Sequence, residues 1–274
     1  MSIDLTYATR PSAGARRRAW FRVFQPAPSA GWRMFCLPHA GGAASFFRDW
    51  ARALSGVGEL VAVQYPGREE RLGEPCVETM AELVEALGQA LVGTPELLDR
   101  PYLLFGHSMG GAVAYELCLW LQRHQVRLPH QLVLSACEGP GRGKRTRLHQ
   151  AADQVLLEEI VRLNQNLRPL LDSPELTAMV LPALRADYRL IETYHEASDL
   201  FPRVQVPVQA WVGREDEELT EDDARAWSRV AGRGFELHAF SGGHFYPSTQ
   251  AVAMSARVTA ALPTSPSWRA LALP

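Results

Sequence analysis

A chain of 274 residues with 47% hydrophobic and 21% charged residues carries enough apolar material for one large α/β domain. Its net charge of −2 gives no basis for binding nucleic acid or an anionic membrane surface. Cys36, Cys76, Cys118 and Cys137 are far apart and show no metal or redox spacing, so reduced thiols and a cytoplasmic setting are expected.

The residues up to about Gly14 are polar and are expected to form a loose arm; their arginines precede no apolar run of signal-peptide length. No segment approaches the roughly 20 apolar residues that cross a bilayer. "MFCLP" (34–38) reads as a buried strand and "ASFFRDWARAL" (44–54) as a helix. "LVAVQYP" (60–66) is the next strand, followed by a helix over 79–91. "YLLFG" (102–106) predicts a strand and 109–122 a helix. Further strands are expected at 131–137, 208–213 and 235–240, with helices over 221–231 and 249–262.

Strands that are almost wholly apolar, separated by helices, indicate a mostly parallel central sheet with helices on both faces. Ligands of such a sheet bind at the carboxyl ends of its strands. Residues from about 139 to 202 interrupt the alternation with a basic loop and helical patterns. A helical lid inserted into a single domain spanning 1–274 is the expectation.

"GHSMG" (106–110) lies between a predicted strand and a predicted helix. The G-x-S-x-G pattern is weak by itself, but at a sharp strand-to-helix turn it suits a nucleophilic serine, Ser108, with small neighbours that avoid collision. A serine hydroxyl needs a base. Of the downstream histidines, His238 alternates within a strand and suits a surface or packing role, whereas His244 in "SGGHFY" follows the strand on a loop and is preferred. His39, His107, His124, His130, His149 and His195 precede the acid or lie on helices, and none is assigned as base. Asp216, in the turn after "VQAWVG", is the preferred acid, with Glu138 the alternative after "LVLSAC". Glu215, Glu217 and Glu218 read as a solvated turn. The backbone N–H of Met109, at a helix start, and that of Ala40, in "LPHAGGAAS", are the candidate oxyanion donors. "HAGGAA" lacks a dinucleotide or P-loop pattern, and no metal-binding motif is present.

Together, "FCLPHAGGAASFFRDWA", "VQYPGREERLGEP", "PYLLFGHSMGGAVAYELC", "LPALRADYRLIETY", "VPVQAWVGREDEEL" and "FSGGHFY" resemble, in order, the type II thioesterases that accompany polyketide synthases and nonribosomal peptide synthetases. The resemblance runs from about Trp32 to beyond His244; "LPHAGG" with "PGREER" is its most specific part. It implies an α/β-hydrolase fold and hydrolysis of acyl thioesters on the phosphopantetheine arm of acyl or peptidyl carrier proteins, with acyl-coenzyme A a further substrate. The catalytic positions it implies are Ser108, Asp216 and His244, with backbone donors at Ala40 and Met109 and with no cofactor or metal. Many members carry tyrosine where this chain has His39.

A carboxylesterase or lipase would use the same catalytic residues, and a noncatalytic binding protein could be built on the same sheet. Within the lid, Leu181, Leu184, Leu190 and Ile191 either pack the helices together or line an acyl chamber, packing being preferred. The loop with Arg142, Lys144, Arg145 and Arg147 either attracts an acidic carrier protein or is merely solvated. Arg68 and Arg71 are expected to shape a turn through ion pairs.

Overall fold

The apolar runs become the interior of one sheet in the computed structural model, which describes residues 19–197 and 201–260. The expected N-terminal arm and the last two residues of the expected closing helix lie outside the described residues. In chain order the elements are β1 (Phe21–Arg22), β2 (Arg33–Leu37), α1 (Arg48–Ala53), β3 (Glu59–Val63), α2 (Met80–Val92), β4 (Tyr102–His107) and α3 (Met109–Arg123). They continue with β5 (Gln131–Ser135), α4 (Asp153–Leu163), α5 (Pro174–Ala197), β6 (Val208–Gly213), α6 (Glu221–Arg225), β7 (Phe235–Phe240) and α7 (Ala251–Ala260). Short 3-10 turns precede α1 at Ala44–Phe47 and extend α6 over Ala226–Arg229, where continuous α-helices were expected.

The strand order is β1-β3-β2-β4-β5-β6-β7. All neighbours run parallel except β1, which pairs antiparallel with β3 through Phe21↔Val63. Every residue of β2 to β6 is buried, the pattern of a sheet covered on both faces, whereas the edge strand β7 is only partly covered. Helices supply that cover, with α1 against α7 on one face and α2 against α3 on the other. Trp50 of α1 sets its ring 4.5 Å from that of Phe105 in β4 and donates its indole N–H to Ser255 of α7. This is the α/β-hydrolase architecture.

Two strands end earlier than their apolar runs. β3 stops at Val63, ahead of a turn with Gly67 at φ 78°, and β5 stops at Ser135 because Ala136 adopts φ 46°. β1 had no signal in the sequence, since two residues carry no period.

The chain moves outward from β2 to β3 and then returns past β2 to β4. The loops leaving β2 and β4 therefore diverge at adjacent carboxyl ends, with Leu37 in register with Gly106. This topological switch is where such a sheet opens a crevice. Between β5 and β6, α4 and α5 stand over it, and Leu156, Leu157, Ile160 and Leu184 form a small cluster apart from the main core. Leu181 packs onto that cluster, while Leu190 belongs to the main core with Ile191 against it. All four cysteines are unpaired. Among the described residues no helix is long and apolar enough to cross a membrane.

Candidate active site

Ser108 occupies the single residue between β4 and α3, at φ 54° and ψ −125°, backbone that side-chain-bearing residues rarely adopt. Its N–H donates to the Ser135 carbonyl at 2.8 Å, and its own carbonyl accepts from Gly111 N–H at 2.8 Å. The surrounding glycines are required by close approach. A Cβ on Gly106 would collide with the Gly110 carbonyl and lie 2.6 Å from Gly111 Cα; one on Gly110 would run into the Leu37 carbonyl and reach within 2.6 Å of the Pro38 oxygen. One on Gly111 would come within 2.7 Å of Cys137 Cβ. Bulk anywhere here would push the turn off the sheet.

The loop after β2 passes beside the start of α3, and Ala40 and Met109 border the same cavity as Ser108. Around Ala40 the loop is pinned closely. Gly41, at φ 72°, donates its N–H to Asp187 Oδ2 at 2.8 Å, and Gly42 N–H donates to the His39 carbonyl at 2.9 Å. Ala44 N–H donates to Gln64 Oε1 at 3.0 Å, and the Gly42 carbonyl accepts from Arg68 at 3.1 Å. Met109 opens a 15-residue helix, whose N-terminal dipole favours negative charge.

Asp216 sits in the turn after β6, where its N–H donates to the Gly213 carbonyl at 3.2 Å. Its side chain is fully covered. Oδ1 accepts from Glu218 N–H at 2.9 Å and Oδ2 lies 2.9 Å from His244 Nδ1. The turn that carries His244 is joined to the Asp216 turn by backbone, with Glu215 N–H donating to the Gly242 carbonyl at 3.2 Å. A Cβ on Gly213 would come within 2.6 Å of the Gly243 oxygen, so both turns need that glycine. His244, slightly exposed, borders the cavity that Ser108 also borders. Glu138 lines this cavity too, and burial raises its carboxyl above the usual range. His238 instead meets Glu236 and Arg257 at the edge of the sheet.

Two further imidazoles stand next to His244. His107 is fully buried, with Nδ1 3.0 Å from Ser135 Oγ, and that hydroxyl lies 2.5 Å from the Tyr246 phenol. Burial, then the neighbouring His244 and His39, push His107 well below the ordinary imidazole range. His39 packs edge-on against Phe46 and Phe245. Burial, then His244 and Arg68, lower it to about 3. Both rings are therefore neutral at physiological pH, and the site around His244 carries no competing imidazolium.

The cavity has two arms that share Ala40, Ser108, Leu163, Tyr188 and His244. One, of about 330 Å³, is lined mainly by apolar groups including Ile160, Leu167, Leu170, Val180 and Leu184. The other, of about 130 Å³, is mixed, with Glu138, Lys144, Thr146, Glu159, Glu192 and Glu218 in its walls beside Met109, Leu148 and Ile191. Leu184 and Ile191 thus both pack and line, while Leu181 and Leu190 pack. In the basic loop Lys144 pairs with Glu218, and Arg142 lies 3.9 Å from Asp223. Arg71 forms its local pair with Glu74 at 2.7 Å and stacks over Trp20. Arg68 reaches out of its turn to Asp187 of α5, at 2.5 and 2.9 Å. Sequence reasoning assigns no role to Asp187. Its signal is an acid on the apolar stripe of α5, between Leu184 and Leu190 at three-residue spacing.

The Thioesterase domain family matches residues 33–261. The chain is 40% identical over 233 residues to Thioesterase PikA5 of Streptomyces venezuelae, covering 84% of this chain and 81% of that protein. It is 35% identical over 259 residues to a probable cadicidin biosynthesis thioesterase of Streptomyces griseus, covering 94% and 69%. Among solved structures, the type II thioesterase BorB from the borrelidin biosynthetic cluster superposes with a TM-score of 0.80 at 36% identity, over 89% of this chain and 98% of that one.

Proposed function

The chain belongs to the thioesterase domain family, and from that premise we propose that it hydrolyses acyl thioesters carried on the phosphopantetheine arm of acyl or peptidyl carrier proteins in polyketide or nonribosomal peptide biosynthesis. The observation that carries the reading is the 2.9 Å Asp216–His244 bond beside a cavity that Ser108 also borders. Its two arms suit the two halves of such a substrate. The apolar arm receives the acyl chain, and the mixed arm, with its charged and hydroxyl groups, accommodates the amide-bearing pantetheine under a lid that includes α4 and α5.

In this reading Ser108 Oγ attacks the thioester carbonyl as His244 Nε2 takes its proton, with Asp216 holding the imidazole by Nδ1. The backbone N–H groups of Ala40 and Met109 receive the oxyanion. The carbon–sulfur bond then breaks, the pantetheine thiol leaves with the proton from His244, and the acyl group remains on Ser108. Water, deprotonated by His244, attacks that ester and releases the free acid, returning the proton to Ser108. No step calls on a metal or cofactor; the pantetheine belongs to the substrate. Acyl-coenzyme A offers the same arm and is proposed as a second substrate. A cytoplasmic location agrees with four unpaired cysteines.

The test compares hydrolysis of an acyl carrier protein thioester with that of its oxygen-ester analogue, alongside labelling by a serine-reactive fluorophosphonate. Thioester turnover with labelling at Ser108 is expected. Turnover of the oxygen ester alone would make the protein a carboxylesterase, and an unlabelled native protein would make it a binder.

A further inference from the structure

Arg68, Asp187 and Gly41 are far apart in sequence and converge beside the site. The Arg68–Asp187 pair is buried, with side chains 8% and 3% exposed, and its geometry is bidentate. Asp187 Oδ2 serves two partners, accepting from Arg68 Nη1 at 2.5 Å and from Gly41 N–H at 2.8 Å. The same Arg68 nitrogen donates to the Gly42 carbonyl at 3.1 Å, and Arg68 Nε donates to the Pro66 carbonyl at 3.2 Å. One turn before Asp187 on α5, Leu184 closes over Gly41 so tightly that a Cβ there would lie 2.7 Å from its Cδ1. Of the peptide groups that follow Ala40, the first is thereby fastened to the lid helix through Gly41 N–H and the third to the loop after β3 through the Gly42 carbonyl.

We infer that Arg68 and Asp187 are positioning residues that hold the Ala40 N–H on the oxyanion, so that the placement of α5 sets the geometry of the oxyanion loop. The inference rests on the reading of Ala40 as a donor under "Proposed function". A side chain whose only purpose was to stabilise the turn after β3 would have no need to reach a backbone N–H next to the nucleophile. Because Gly41 N–H is engaged by Asp187, it is not available to substrate, and the donor role falls on its neighbour. An oxyanion donor matters more in the transition state than in the bound thioester. Loosening the brace should therefore lower kcat and kcat/KM together and leave KM nearly unchanged.

Removing one partner strands a buried charge and risks unfolding, whereas replacing both with apolar groups is often tolerated. The deciding variant is therefore Arg68→Leu with Asp187→Leu; Arg68→Leu with Asp187→Asn, which keeps an acceptor for Gly41 N–H and strands no charge, serves as the conservative variant. Three quantities are measured on carrier-protein thioester substrate and two analogues: kcat and KM, inhibition by an acyl trifluoromethyl ketone that forms a tetrahedral adduct with serine, and affinity for an S-alkyl pantetheine thioether without a carbonyl. In the folded double variant kcat should fall about 10- to 100-fold with ketone affinity falling in step, while KM and thioether affinity stay within about threefold. Arg68→Leu with Asp187→Asn should recover most of the loss. A folded double variant with wild-type kcat and ketone affinity overturns the brace alone. Equal weakening of ketone and thioether also overturns it, since that marks a general loss of the pocket. A wild type without thioester turnover overturns the brace and the parent reading together.

Discussion

At the rim of the sheet Ser108 is held by backbone: a carbonyl from β5 receives its N–H, and the neighbouring residues approach so closely that only glycine fits. Across the cavity, α5 is held by side chains, chiefly the Asp187 carboxylate shared between a guanidinium and a backbone N–H. The rim belongs to the main core, and the lid keeps a small cluster of its own. Backbone crowding tolerates almost no substitution but needs no particular functional side chain around it. A side-chain brace is specific in its chemistry and sits on an element that could shift. One region fixes Ser108, and the other sets the room around it.

The largest effect separates chemistry from scaffold at the rim. Ser108→Ala should cost at least about 10⁴-fold in kcat, measured on an acyl carrier protein thioester, with an unchanged melting temperature. Residual turnover near wild type would remove the hydroxyl from the reaction. Next comes the choice between the two carboxylates near His244. Asp216→Asn should lose about 10³- to 10⁴-fold in kcat, whereas Glu138→Gln should stay within about threefold. The reverse ranking would hand the acid's part to Glu138.

The pH dependence of stability tests the rim in another way. His107 and His39 fold with depressed proton affinity, His39 at about 3 against an ordinary 6.5, so the unfolded chain binds more protons over that interval. Stability should be full above about pH 6.5 and decline as pH falls below it, by up to about 1.4 kcal/mol per pH unit for each imidazole still neutral in the folded chain, a range that for His39 extends to about pH 3. Urea unfolding at a series of pH values measures this, and His107→Gln should flatten the slope; an unchanged slope would show that His107 is not the group responsible. The smallest effect belongs to the ion pairs that join the lid to the turn after β6. Glu218 pairs with Lys144 and with Arg162 at 2.5 Å, yet both cations are about half exposed. Glu218→Gln should therefore shift stability by less than about 1 kcal/mol in thermal unfolding. A larger loss would mean that the lid depends on its rim charges as well as on the Asp187 brace.

The sequence by itself determined the order of strands β2 to β7 and the helices between them, because buried parallel strands are written as apolar runs, and "VQAWVG" and "FELHAF" coincide with β6 and β7. It also singled out Ser108, since a strand-to-helix turn this tight leaves a glycine pattern that is local in the chain. Tertiary structure alone decided which carboxylate meets His244, because that depends on two turns from different strands being joined by backbone hydrogen bonds. Nor could it be read locally that Arg68 would leave its own turn for Asp187. The two are 119 positions apart, and a hydrogen bond over such a separation leaves no periodicity in either segment. Local steric rules are recorded in neighbouring residues, whereas contacts between distant elements exist only once the sheet has brought its strand ends together.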